Sequence, residues 1–294
     1  MIIVRLRGGL GNQFFQYAAG KALAEFHQTS FKLDLYYYKK HPYRKFELDK
    51  FNVPLEIASR EEVHTFTGKN PVIRFLNKYD NYFHCPEVFA QPHYHFYEDF
   101  FQLPANLYLS GYWQSEKYFE SIRSKIYEWY TPAKPFDERN ETVIQQMKSC
   151  ASVSLHVRRG DYAGNSIFGS ASQEYYKKGV DYIRQHVDNP HFFIFSDEIE
   201  WCRKNLSIDK ATFIDWNKKD DSYKDLWLMS NCKNHVMANS TFSWWGAWLD
   251  NNPVKIVTAP KQWFKRNYNN DRTPMYPARY YNSKDIIPSG WITL

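Results

Sequence analysis

The sequence has 294 residues, an apolar fraction of 43%, an aromatic fraction of 19% and a net charge of +6. Such a chain can bury enough apolar surface to outweigh its conformational entropy, which excludes disorder. Its length is about twice that of a usual domain, so two domains are the first expectation and one large α/β unit the alternative. No apolar run nears the roughly 18 residues that a membrane helix needs. The N-terminus enters Ile2, Ile3 and Val4 directly instead of a leader. The charges are scattered rather than gathered into a basic stripe, which points to a small anionic ligand and away from nucleic acid.

Ile2 to Leu6 reads as a short apolar strand, Gly8, Gly9 and Gly11 as a turn, Asn12 to Phe26 as a helix and Phe31 to Leu35 as a second strand. From Tyr36 to about Leu109 prolines interrupt the text, so regular elements there should be short. Ser115 to Trp129 reads as a helix opened by a Ser cap and stopped by Thr131, Pro132 and Pro135. The domain boundary is placed there, giving domains 1–135 and 136–294. The second half alternates clearly. Strands Val153 to Val157, Phe192 to Phe195, Thr212 to Ile214, His235 to Ala238 and Lys255 to Thr258 alternate with helices. The helices are Gln173 to Val187, Glu198 to Leu206, Ser222 to Cys232 and Phe242 to Leu249. Strands joined through single helices require a parallel sheet covered on both faces, and ligands of such sheets bind beyond the carboxyl ends of the strands.

The segment HVRRGDY, His156 to Tyr162, leaves the first of these strands. Alternation puts His156 and Arg158 on one side and Val157 and Arg159 on the other. Two guanidinium groups beside a glycine turn suit a phosphate, because an Arg fork can bind it bidentately and neutralise charge growing on a departing diphosphate. The plainer account is that an Arg pairs with Asp161 at the sheet edge, and that His156 is a satisfied core histidine. In ANSTFSWWGAWL, Ala238 to Leu249, a strand turns into a helix, and Asn239, Ser240, Thr241 and Ser243 stand where free N–H groups and the helix dipole favour an anion. Capping by Ser240 or Thr241 is compatible with that. Trp244 and Trp248, one turn apart, read as a core stripe.

In FSDE, Asp197 and Glu200 have the spacing of a capping box, with ligand roles open for Ser196 and Glu198. In RGGLGNQFFQ, Gly9 and Gly11 permit close backbone approach, and Asn12 and Gln13 offer amides. Phe14 stands where the dinucleotide fingerprint needs a small residue, which holds helix and strand apart and disfavours a nicotinamide cofactor. No phosphate-binding P-loop motif, HExxH or CxxC occurs, so no metal ligand is assigned, and a departing diphosphate would need protein cations to stabilise it. Cys85, Cys150, Cys202 and Cys232 read as reduced core thiols. The acceptor tripeptides at Asn140, Asn205 and Asn239 read as coincidence.

Taken together, GGLGNQFFQYA, GYWQSEKYF from Gly111, HVRRGDY, FSDE and ANSTFSWWGAWL resemble glycosyltransferase family 11, the alpha-1,2-fucosyltransferases, with the bacterial branch nearest. The resemblance implies an α/β fold of the GT-B type, two Rossmann-like doubly wound domains facing a cleft, with the acceptor side in the first domain and the nucleotide sugar in the second. It implies inverting, metal-independent transfer of L-fucose from GDP-beta-L-fucose to the 2-hydroxyl of a terminal beta-galactoside, with no cofactor beyond the donor substrate. Carried over, Arg158 contacts the β-phosphate, supported by His156 and Arg159. Asn239, Ser240, Thr241 and Ser243, with Ser196 and Glu198, line the donor site, and Gly9, Gly11, Asn12 and Gln13 face it. Asp161 is the candidate base, unless a departing phosphate oxygen takes the proton. A non-catalytic carbohydrate- or nucleotide-binding protein, or a transferase using another nucleotide sugar, is the alternative. A bacterial cytoplasmic location with room for peripheral membrane association is expected, and the oligomeric state is left open.

Overall fold

The computed structural model describes residues 1–68, 85–160, 169–264 and 282–294. The chain divides into two compact units, Met1–Ala133 with Asp271–Ile286, and Lys134–Asn270 with Ile287–Leu294. The division falls two residues before the expected boundary. A short C-terminal stretch belongs with the first unit rather than the second, because Asp285 accepts the Phe96 N–H at 3.1 Å and pairs with Lys117 at 2.7 Å.

The first unit contains β1 (Ile2–Arg5), α1 (Leu10–Phe26), β2 (Phe31–Asp34), α2 (Tyr36–Lys40), α3 (Arg60–Thr67), β3 (Val88–Ala90), β4 (Leu107–Ser110) and α4 (Arg123–Trp129). The strands run parallel in the order β2-β1-β4-β3. Ile2, Ile3 and Val4 are all fully buried, the unbroken apolar run of a strand covered on both faces. Gly9 is the N-cap of α1 and follows Gly8 at φ +82°. A Cβ at Gly8 would lie 2.6 Å from the Asn12 amide, so this turn needs glycine twice over.

Phe14 does not hold α1 off the sheet. Its ring stacks on Tyr130 at 3.8 Å, and the helix meets the strand farther along, at Gly20. The expected continuous helix from Ser115 is broken into 3-10 turns at Glu116–Tyr118 and Glu120–Ile122, ahead of α4. Tyr118 and Phe119 are consecutive and both fully buried. The kink at Phe119 (φ −140°) lets both enter the core, and the Ser115 side chain caps nothing.

The second unit opens with a helix that the sequence reading passed over, α5 (Glu138–Ser149), capped by Asp137. It continues with β5 (Ser152–Val157), α6 (Gln173–His186), β6 (His191–Ser196), α7 (Ile199–Asn205), β7 (Ala211–Ile214), α8 (Tyr223–Ser230), β8 (Asn234–Val236), α9 (Thr241–Trp248), β9 (Val257–Ala259) and β10 (Ile292–Thr293). The parallel order is β10-β9-β8-β5-β6-β7. β5 is buried along its length. Val153, Leu155 and Val157 pack with Tyr176, Val180 and Ile183 of α6, while Phe193 and Phe195 of β6 pack with Val143, Ile144 and Met147 of α5.

From β5 the chain first builds toward β7, then returns to place β8 on the other side. The winding therefore reverses between β5 and β8, where doubly wound sheets open a crevice for ligands. Trp244 and Trp248 stack at 6.0 Å in the core, as the stripe predicts. The four cysteines are thiols, three of them buried. Asn140 and Asn239 are buried as well. Among the described residues no helix is long and apolar enough to cross a membrane.

A Cβ on Gly20 would fall 2.1 Å from Val4 Cγ2 and 2.8 Å from the Phe31 ring. Gly20→Ala should therefore lower the unfolding free energy by about 1–3 kcal/mol, the usual penalty of overpacking a core. Urea titration measures it. An unchanged midpoint at constant slope would show that α1 does not press on β1 there.

Candidate active site

The loop leaving β5 is shaped by a carboxylate from the next strand's exit. Asp197 Oδ1 accepts the Arg159 N–H at 3.0 Å, and Oδ2 accepts the Gly160 N–H at 3.1 Å. Arg158 Nε lies 3.3 Å from the same Oδ2. A Cβ at Gly160 would come within 2.8 Å of this oxygen, so the glycine admits the clasp. Asp197 thus does not form the capping box that its spacing with Glu200 suggests. The residue at the N-cap of α7 is Glu198, whose side chain caps nothing. Instead Glu198 Oε2 lies 3.0 Å from Arg159 Nε, and its N–H donates to Ser196 Oγ at 2.9 Å. The Arg159 guanidinium also lies 4.2 Å from the centre of the Trp201 ring. Both arginines are therefore oriented by FSDE, and Asp161, the partner considered from sequence, lies outside the described residues.

His156 is 5% exposed, on the face where Phe242 packs at 5.8 Å between ring centres. Burial, and secondarily the charge of Arg158, pushes its imidazole down to about 3. A ring held neutral spares Arg158 a second positive charge, which suits a supporting role better than proton transfer.

Across the switch point, the four polar residues after β8 have separate duties. Asn239 Nδ2 donates to the carbonyls of Gly169 at 2.9 Å and Trp263 at 3.1 Å, tying two loops together. Ser240 Oγ caps α9 by accepting the Phe242 N–H at 3.3 Å. Ser243 Oγ donates to Ala238 O at 3.1 Å and Ser240 O at 3.2 Å, so it braces the turn rather than lining a ligand site. Thr241 is half-buried at the first helical position. A cavity of about 580 Å³ opens here, lined by Arg159, Asn239, Ser172, Tyr175 and Lys261. It brings Arg159 and Asn239 together, while Arg158 and Ser240 are not among the residues that line it. Lys261 and the start of α6 at Ser172 were missed. Lys261 follows β9, so counting loops beyond every strand end would have reached it. Two cations and the N-terminus of a 14-residue helix make the cavity attractive to an anion.

In the first unit, Gly9 caps α1 and Gly11 is buried. Gln13 does not offer its amide outward. It is fully buried, with Nε2 donating to Lys45 O at 2.8 Å and Oε1 accepting the Glu47 N–H at 2.9 Å. Asn12 Oδ1 accepts Gln114 Nε2 at 2.8 Å. Among the described residues no three His, Cys, Asp or Glu side chains gather as metal ligands.

A family profile described as Glycosyl transferase family 11 matches residues 1–278. An alpha-1,2-colitosyltransferase of Escherichia coli is 37% identical over 305 residues, covering 100% of this chain and 99% of that protein. The O-antigen biosynthesis glycosyltransferase WbnK of Escherichia coli is 31% identical over 297 residues, covering 89% and 94%. Galactoside alpha-(1,2)-fucosyltransferase 1 of Leontocebus fuscicollis is 28% identical over 158 residues, covering 49% and 43%. Among solved structures, fucosyltransferase NodZ from Bradyrhizobium is similar with a TM-score of 0.51 at 11% identity, covering 84% of this chain and 92% of that one. That likeness concerns the fold, which is the α/β GT-B type the motifs imply.

The depressed value at His156 fixes the sign of a pH effect. Between pH 6.5 and about 3 the unfolded chain binds a proton that the folded chain refuses. The contribution of His156 to stability is therefore complete above pH 6.5 and is lost as pH falls toward 3. His156→Gln should show a shallower loss of stability than the parent on acidification below pH 6.5, by up to about 1.4 kcal/mol per pH unit. Parallel slopes in urea titrations would mean that this ring titrates as if exposed.

Proposed function

Since the chain belongs to glycosyltransferase family 11, we propose that it transfers L-fucose from GDP-beta-L-fucose to the 2-hydroxyl of a terminal beta-galactoside, inverting the anomeric centre and using no metal ion. The observation that carries this reading is the pair of oriented arginines at the β5/β8 switch point, one of them lining a cavity that also holds Lys261. As the bond from the sugar to the diphosphate breaks, negative charge grows on the leaving phosphate. Fixed guanidinium groups stabilise that charge without having to reorganise. Arg158 is assigned to the β-phosphate, and Arg159 with Lys261 to the remaining anionic charge of the nucleotide. The acceptor hydroxyl attacks the opposite face of the anomeric carbon. Its proton passes to Asp161 or to a departing phosphate oxygen, while His156 stays neutral beside Arg158.

A plain sugar-binding protein has no need of cations placed at a strand end beside such a cavity, which favours a protein that handles a nucleotide sugar over a plain sugar binder. One observation supports a second donor. The 37% identical relative is an alpha-1,2-colitosyltransferase, and colitose is L-fucose without its 3-hydroxyl. The difference is one hydroxyl on the same ring, so linkage and mechanism carry over unchanged. The E. coli relatives also support a bacterial setting in which the donor is met in the cytoplasm.

The test is nucleotide release from GDP-fucose, GDP-colitose and UDP-sugars with beta-galactoside acceptors, with and without chelator. The parent should turn over GDP-fucose with chelator present, and Arg158→Ala should lose at least about a hundredfold in kcat, the scale for removing one stabiliser of the transition-state charge. Full activity in the variant defeats the assigned role, a requirement for manganese defeats the metal-free part, and exclusive use of GDP-colitose establishes the second donor. Tight nucleotide binding without release would favour the binding protein.

A further inference from the structure

The turn after β4, Gly111–Gln114, has no part in the reaction as described above, yet it is built at evident conformational cost. A Cβ at Gly111 would sit 2.5 Å from Gln91 Cβ and 2.7 Å from the Trp113 ring. Trp113, fully buried, is held at φ +56°, a left-handed conformation that a bulky residue rarely adopts. Gln91 Oε1 holds the turn by accepting the N–H groups of Tyr112 at 2.7 Å and Trp113 at 3.1 Å.

The result is a Gln114 side chain only 5% exposed, with its amide oriented by one bond, Nε2 to Asn12 Oδ1 at 2.8 Å. Its other end, Oε1, is buried and accepts no hydrogen bond from the described residues. A buried carbonyl without a donor is costly, and a native structure keeps one where something else supplies the donor. The place is the switch point of the first unit's sheet, since β2 lies on one side of β1 while β4 and β3 lie on the other. Beside it the Arg7 guanidinium lies 4.3 Å from the centre of the Tyr112 ring, which in turn stacks on Tyr94 at 5.6 Å. A neutral, fixed acceptor oxygen needs a donor, which a sugar hydroxyl supplies and an ionised phosphate oxygen does not.

We propose that Gln114 Oε1 accepts a hydrogen bond from a hydroxyl of the acceptor saccharide, making Gln114 a specificity-determining residue and Asn12 the positioning residue that aims it. This rests on the reading of the chain as a galactoside-modifying transferase. The test is steady-state kinetics on beta-galactosides that each lack one hydroxyl, with the parent and Gln114→Met. Gln114→Met should raise the KM for the acceptor at least about tenfold while the donor KM stays within about twofold. One deoxy-acceptor should lose about tenfold or more with the parent and nothing further with Gln114→Met.

Equal penalties for parent and variant across the whole panel overturn the proposal, as does a rise confined to the donor KM. Should Gln114→Met fail to fold, Asn12→Ala, which releases the amide without emptying the buried site, carries the same comparison. A parent that transfers to no galactoside refutes the transferase reading instead. Calorimetric titration with the same galactosides then decides Gln114: binding lost in the variant upholds it, and absent or equal binding overturns it.

Discussion

The arrangement at the β5/β8 switch point depends on where the carboxylate of Asp197 sits. Two arginines in succession repel each other, and a loop with a glycine at its tip has many conformations open to it. One carboxylate that accepts two successive backbone N–H groups and meets Arg158 Nε removes much of that freedom and offsets part of the repulsion. Glu198 and Trp201 do the same for the Arg159 side chain. Because these side chains remain about a quarter exposed, the ion pairs contribute little to stability in themselves. Their effect is to place charge in advance, so that an arriving anion meets cations that have already lost their conformational entropy.

The second unit was largely legible in the sequence because its strands are short apolar runs, each closed by a turn residue and followed by a helix of regular period. The first unit was less so. β3 and β4 have few residues and lie in a stretch crowded with prolines and aromatics, where periodicity over three or four positions carries no signal. α5 carries no unbroken apolar stripe, because Asn140 interrupts it. The asparagine is buried all the same, its amide bonded to Asp137, Asn217 and Trp216. The helix from Ser115 failed for the opposite reason: the pattern looked helical, but two adjacent aromatics both had to enter the core.

At the candidate site, the sequence placed the polar residues in loops at strand ends, as the structure has them, but not the hydrogen bonds each one makes. Spacing put Asp197 in a capping box because it could not reveal a partner loop 38 residues away. It read Gln13 and Ser243 as ligand groups because polarity beside a glycine turn looks the same whether the side chain faces a ligand or braces the turn. Both turned out to be braces, and the interior positions of Gln91 and Gln114 were not visible at all. Each unit nonetheless repeats one plan. A glycine-containing exit from the first strand of a parallel sheet stands beside the exit of the strand placed after the winding reverses, and polar side chains fix the two exits.

The buried asparagines have a practical corollary. Asn140 and Asn239 each begin a tripeptide that eukaryotic oligosaccharyl transferase accepts, and both are enclosed in the folded chain. That enzyme acts on nascent polypeptide, before an interior exists to hide them. Routing this protein through the endoplasmic reticulum of a yeast or mammalian producer would attach bulky glycans where helix packing and loop ties leave no room. A bacterial host avoids the conflict entirely.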